Sequence, residues 1–213
     1  SPLFFKLNNM NNYYNINNNN NVSMPTMRTY QVITPASTYP VTLADAKEHL
    51  KVDINTDDGL INNLIIASTE LSEEYTNRFF IDTVISQTCT TFADLKSLFK
   101  STVKSVAHVK YYDSDNTLQT LDAANYVVNN QFEPCQINPA VDFSFPDIAD
   151  RVDAIECRYT VGYVKIPDAI KSAILLTIGN WYENRESVVI GRIATELPQS
   201  ALWILNTYKV QIV

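Results

Sequence analysis

The spacing of apolar residues predicts two helices near the start of the folded part of the chain. Thr42, followed three positions later by Asp45, forms a capping-box sequence at the start of a short helix that ends near Val52. A longer amphipathic helix begins at Asp57 or Asp58. Its apolar stripe follows three- and four-residue spacing and consists of Leu60, Ile61, Leu64, Ile65, Ser68, Leu71, Tyr75 and Phe79.

The period of apolar positions changes to two between residues 81 and 163, which indicates β-strands. Asp113 to Asn116 has the composition of a hairpin turn. A calcium loop is excluded there, because Leu118 and Ala124 stand where an EF-hand requires glycine and glutamate. The proline-containing segment 131–150 is predicted to be an irregular loop. The predicted strands are 84–92, 103–112, 117–121, 126–129 and 154–161.

Helical spacing returns after Pro167, which suits the first position of a helix. After a linker around Gly191, a last short helix is predicted to follow Pro198. The mostly apolar end, 210–213, is expected to pair as a strand, pack on the core or dock into another protein. The stripe of the helix after Pro167 consists of Ile170, Ala173, Ile174, Ile178, Trp181 and Tyr182.

Together these elements predict an α+β protein, a bundle of about four α-helices with a β-rich insertion between the second and third long helical segments. The two long helices must pack on each other across the insertion, because a short neighbour cannot cover either stripe. The predicted organisation is an Asn-rich extended N-terminal arm at 1–39, a first part of the bundle at 40–82, the β-rich insertion at 83–164, a second part of the bundle with a linker at 165–197, and a C-terminal helix and tail at 198–213.

The arm differs from the rest of the chain in composition and charge. Residues 8–21 contain ten asparagines in fourteen positions. Lys6 and Arg28 are the only charged residues before residue 40, although the whole chain has a formal net charge of −7. That negative charge argues against a broad basic face for nucleic acid. The arm is expected either to contact a neighbouring subunit or to fold back on its own chain. Candidate inter-subunit residues are Phe4, Phe5, Tyr13, Tyr14, Glu70 and Glu73.

The sequence shows no recognisable motif for a catalytic, phosphate-binding or metal-binding site. The four glycines are scattered, so no phosphate-binding loop and no nucleophile elbow is present. Cys89, Cys135 and Cys157 have neither zinc-site nor disulfide-framework spacing and suit a reducing cytoplasm. No apolar run approaches the roughly 18 residues of a membrane helix. We therefore predict no enzyme activity, no catalytic, cofactor-binding or metal-binding residues, and no membrane partner.

Several strings nevertheless resemble a known family when they are taken in order. The first are Pro-Val-Thr-Leu-Ala-Asp-Ala-Lys-Glu-His-Leu-Lys-Val-Asp at 40–53 and Glu-Tyr-Thr-Asn-Arg at 74–78. Later strings are Tyr-Tyr-Asp at 111–113, Tyr-Thr-Val-Gly-Tyr at 159–163 and the helix at 166–186. This series resembles the head–tail connector (adaptor) proteins of tailed phages and gene transfer agents over roughly residues 33–208.

The resemblance implies a structural role in the virion neck after assembly in the host cytoplasm. Such proteins form a homo-oligomeric ring, usually of about twelve subunits. The ring lies below the portal protein, joins the next stopper or tail-completion protein, and extends a channel for double-stranded DNA without sequence-specific binding. A C-terminal segment commonly docks on the portal. Carried onto this chain, the candidate portal-docking residues are Trp203, Tyr208, Val210 and Ile212.

Two alternatives remain open from the sequence. The chain could instead be a stopper or tail-completion protein of the same neck. A more remote alternative is a metal-dependent enzyme that uses helix carboxylates such as Glu70 and Glu73.

Overall fold

A computed structural model describes residues 28–184 and 196–211, and its described residues confirm the predicted α+β class. The helices are α1 (Leu43–Leu50), α2 (Asp58–Thr76), α3 (Asp168–Glu183) and α4 (Gln199–Asn206). The strands are β1 (Arg28–Thr34), β2 (Thr83–Cys89), β3 (Val103–Tyr112), β4 (Leu118–Leu121), β5 (Tyr126–Asn129), β6 (Gln136–Pro139) and β7 (Ile155–Val161). None of the described helices is long and apolar enough to cross a membrane.

Five strands form an antiparallel sheet in the order β1-β2-β7-β3-β4, and β5 pairs with β6 in a separate two-stranded sheet. Strand β7 lies at the centre and alternates strictly between buried and half-buried positions. Its buried side chains pack into one apolar core with those of β2 and β3. These β7 side chains are Ile155, Cys157, Tyr159 and Val161.

Two segments differ from the sequence prediction. Residues 28–34, assigned to the extended arm, form the edge strand β1, where Tyr30 packs its ring 5.3 Å from that of Phe99. Residues 136–139, expected to be irregular, form β6, whose Ile137 is fully buried. This short strand was not predicted because prolines surround it, and proline is compatible with a strand only at its ends or edges.

The start of α1 confirms the predicted capping box. The N–H of Asp45 donates to Thr42 Oγ1 at 3.1 Å, and the N–H of Thr42 donates to Asp45 Oδ2 at 3.0 Å. The helix ends at Leu50, slightly before the predicted Val52, because Lys51 adopts a left-handed conformation with φ of 58°.

The buried face of α2 also differs from the predicted stripe in its second half. Ser68, Ser72 and Thr76 are fully buried there, whereas Leu71 and Tyr75 are only half-buried. The hydroxyls of Ser72 and Thr76 each donate to the backbone carbonyl one turn earlier at 2.7 Å. Because these donors are satisfied within the helix, small polar side chains can occupy a helix interface without an unpaired group.

Candidate docking surface at the C-terminal helix

Helix α4 is held against the other helices by its apolar side. Ala201 and Leu205 are fully buried and form a cluster with Ala173 of α3 and with Leu197. Pro198 precedes the first turn, where its lack of an N–H costs no hydrogen bond. The helix therefore presents its opposite side to solvent.

Trp203 is the dominant residue on that outer side. Its side chain is 72% exposed, and its neighbours on the same face are polar and exposed. Tryptophan on a surface contributes strongly when a partner covers it, because it buries a large area and loses little conformational freedom. The outward-facing polar residues of α4 are Gln199, Ser200 and Asn206.

The other predicted docking residues are placed differently. Tyr208 is half-buried and packs on the helical core. Val210 is only 5% exposed, and its N–H donates to the carbonyl of Thr76 at 3.0 Å. The structure thus covers the Val210 side chain with its own chain. Ile212 lies outside the described residues.

The predicted inter-subunit residues also differ in their exposure and contacts. Glu70 is exposed on α2. The Glu73 carboxylate accepts the N–H of Phe80 at 2.8 Å and thereby holds the turn that follows α2. The four aromatic residues of the arm, Phe4, Phe5, Tyr13 and Tyr14, lie outside the described residues.

Arg78 contacts the C-terminal segment, which sequence reasoning did not anticipate. Its Nε donates to the carbonyl of Tyr208 at 2.6 Å, across 130 positions of sequence. The only sequence signal is a single arginine near the end of the predicted second helix, and one charge of this kind carries no information about a distant partner.

The β3–β4 hairpin forms an ordered acidic tip. The Asp113 carboxylate accepts the N–H of Thr117 at 2.9 Å and the amide of Gln119 at 2.8 Å, and these hydrogen bonds lower the pKa of Asp113. Nearby, Arg151 binds Asp153 through two hydrogen bonds of 2.6 Å, which lower the pKa of that carboxyl. The ionised Asp113 carboxylate repels anions such as DNA phosphates, whereas Arg151 neutralises the charge of Asp153.

Potential metal ligands do not cluster in the described part of the chain. No three His, Cys, Asp or Glu side chains converge there as metal ligands, and Glu70 and Glu73 belong to no such group. The three cysteines are buried and free, and burial raises the pKa of Cys135 to about 11. The described residues form an α+β protein. Its candidate functional features are surfaces for contact with other proteins.

One protein family resembles the first half of the folded part of the chain. Residues 40–142 match the model of the phage gp6-like head-tail connector protein family. The resemblance inferred from the sequence strings is thereby confirmed: this region of the chain is similar to the head-tail connector family. No curated protein sequence matches the chain.

Three similar solved structures come from gene transfer agent (GTA) particles. A chain in the neck of an empty particle computed with C6 symmetry superposes with a TM-score of 0.68 and 16% identity, over 87% of this chain and 97% of that one. A chain in a native GTA virion gives 0.66 and 16%, over 86% and 96%. A chain in the neck of a native particle computed with C12 symmetry gives 0.64 and 16%, over 87% and 97%. At this identity the likeness establishes a shared fold.

Proposed function

We propose that the chain is a structural, non-enzymatic connector subunit that forms a ring below the portal of a phage-like virion. The match of residues 40–142 to the head-tail connector family carries this proposal. The shared fold with chains from GTA necks of C6 and C12 symmetry supports a neck location and a ring of twelve subunits. In the proposed arrangement the four helices act as one bundle interrupted by the β-rich segment.

In this proposal the ring has three kinds of partner. It binds the portal on one side through the C-terminal segment, with Trp203 as the main anchor and Ile212 as a second candidate. Tyr208 and Val210 pack on the subunit's own chain and hold this segment in place. It receives a stopper or tail-completion protein on the other side. Double-stranded DNA passes through the ring without sequence-specific binding, and the chain's net charge of −7 agrees with weak attraction for phosphates.

The decisive experiment measures binding of the purified chain to its portal ring. Trp203→Ala should weaken binding by about 2 kcal/mol or more, the loss typical of an interface hot spot. Its melting temperature should change little, because the side chain is 72% exposed. Leu118→Ala is the matched control, since Leu118 is 50% exposed on the hairpin strand β4. A wild-type chain that binds an adaptor ring and not the portal would instead be a stopper.

The ring contacts require a separate test. Deleting residues 1–27 removes the Asn-rich part and keeps strand β1 intact, because β1 begins at Arg28. We expect the ring to weaken while monomer stability stays unchanged, as judged by native mass spectrometry and thermal unfolding. Glu70→Lys tests the α2 face in the same assays. A truncated chain that forms rings as strongly as the full chain would contradict the role of the arm.

A further inference from the structure

The buried guanidinium of Arg78 joins three separate segments of the chain. Arg78 lies two residues after α2, and its side chain is 5% exposed. Besides the Tyr208 carbonyl, it binds the Glu133 carboxylate through Nη2 at 2.5 Å. Its central carbon also lies 5.9 Å from the centre of the Tyr163 ring.

Local backbone geometry aims Arg78 into this position. Asn77 adopts the left-handed conformation with φ of 57°, and the N–H of Arg78 donates to the carbonyl of Glu73 at 3.0 Å. This is the hydrogen-bond pattern of a Schellman helix end. The chain therefore turns sharply at the residue where the buried arginine is needed.

The C-terminal segment is fixed to the end of α2 at two backbone points. The carbonyl of Tyr208 accepts from Arg78, and the N–H of Val210 donates to Thr76, two residues before Arg78. Lys209, between them, places its ammonium 4.5 Å from the centre of the Tyr75 ring. These two backbone hydrogen bonds lie on either side of Lys209. They therefore fix the direction of the backbone there as well as its position.

An arginine joins these segments better than a lysine would. Its planar fork binds a carbonyl and a carboxylate at once, and its charge is not lost at neutral pH. Burying that charge is favourable only while both acceptors remain in place. Glu133 is the acceptor that neutralises it, and it comes from the loop between β5 and β6.

We propose that Arg78 is a positioning residue that fixes the course of residues 208–211 along the end of α2, and that Glu133 holds Arg78 in the productive orientation. This inference rests on the proposed docking of that segment onto the portal. It means that a loop in the β-rich part of the chain controls the geometry of the docking segment.

The test uses the full-length chain with Arg78→Lys and Glu133→Ala. Glu74→Ala is the matched control, because Glu74 also pairs an exposed carboxylate with a buried cation, Lys100, at 3.4 Å. Hydrogen exchange followed by mass spectrometry on the peptide covering residues 206–213 reports on the Val210 amide. Both test variants should exchange about tenfold faster there and bind the portal about tenfold more weakly, with little change in exchange of the sheet.

The outcomes separate the two proposals. Unchanged exchange in Glu133→Ala, together with unchanged exchange in a folded Arg78→Lys protein, would overturn the positioning role, whatever the portal affinity. Faster exchange in a chain whose wild type does not bind the portal would leave the positioning role standing and remove the proposed docking. If Arg78→Lys does not fold, Glu133→Ala decides alone, since Glu133 is 51% exposed and its truncation removes no buried apolar side chain.

Discussion

Gln87 and Tyr159 lie 72 positions apart in sequence, and their side chains meet in the buried centre of the sheet. The Tyr159 hydroxyl donates to Gln87 Oε1 at 2.8 Å, and the same oxygen accepts the N–H of Phe99 at 3.0 Å. Both side chains are fully buried. This polar contact therefore connects β2, β7 and the segment that enters β3.

Tyr159→Phe removes that hydroxyl and should lower the free energy of unfolding by about 1–2 kcal/mol, because a buried acceptor then loses a donor. Urea denaturation followed by circular dichroism measures the change. Tyr111→Phe is the control, since Tyr111 is half-buried and packs beside Phe92. An equal loss in both variants would contradict the importance of the Gln87 contact.

Substitution by alanine is expected to change stability in opposite directions at two glycines. A Cβ at Gly162 would lie 2.8 Å from the backbone N of Asp82, and its φ is +138°, so Gly162→Ala should destabilise the fold by roughly 3 kcal/mol or more. Gly59 lies in the first turn of α2 with open space around it. Gly59→Ala should stabilise by about 0.5–1 kcal/mol. Thermal unfolding of both variants, measured together, checks the difference in sign.

The capping box of α1 should make part of the stability depend on pH. Hydrogen bonds from the Thr42 hydroxyl and N–H lower the pKa of Asp45. This stabilisation is present above the unfolded pKa of about 3.9 and disappears as the pH falls through the lower folded value.

Thr42→Ala should therefore cost about 1 kcal/mol at pH 7, and the cost should shrink below about pH 4. The control is Thr38→Ala, at an exposed position four residues earlier. Chemical denaturation at pH 7 and pH 3 measures both variants. A cost that is the same at both pH values would show that Asp45 does not take part.

The three cysteines should be unreactive in the folded protein. All three are buried, and burial raises the pKa of each thiol, so little thiolate is available to attack a reagent. At pH 8 an aromatic disulfide reagent should label none of the three thiols in the folded protein and all three after unfolding. Rapid labelling of a folded sample would contradict the described burial.

Local signals in the sequence predicted local structure well. The pair Thr42 and Asp45 defines the start of α1, and the polar run after Tyr112 defines the hairpin, because both depend on residues within one turn of each other. Strand β1 was missed, since an edge strand with five of its seven residues exposed shows little apolar alternation. The position of the buried face along α2 was likewise set by tertiary packing, which favours Ser72 over Leu71.

The candidate surface was predicted only in part. Trp203 was selected because the family resemblance pointed to the C-terminal segment, and the structure shows that its side chain is exposed. The attachment of Val210 to Thr76 and the contacts of Arg78 were not predicted, because they join segments 55, 130 or 134 positions apart whose distance only the fold determines.

The central position of β7 affects how the protein folds during synthesis. Strands β2 and β3 each pair with β7 and not with each other, yet β7 leaves the ribosome after both. Until residues 155–161 emerge, both strands expose unpaired edges. Completion of the sheet must therefore wait for most of the chain, and incomplete translation products lack the strand that joins its two halves.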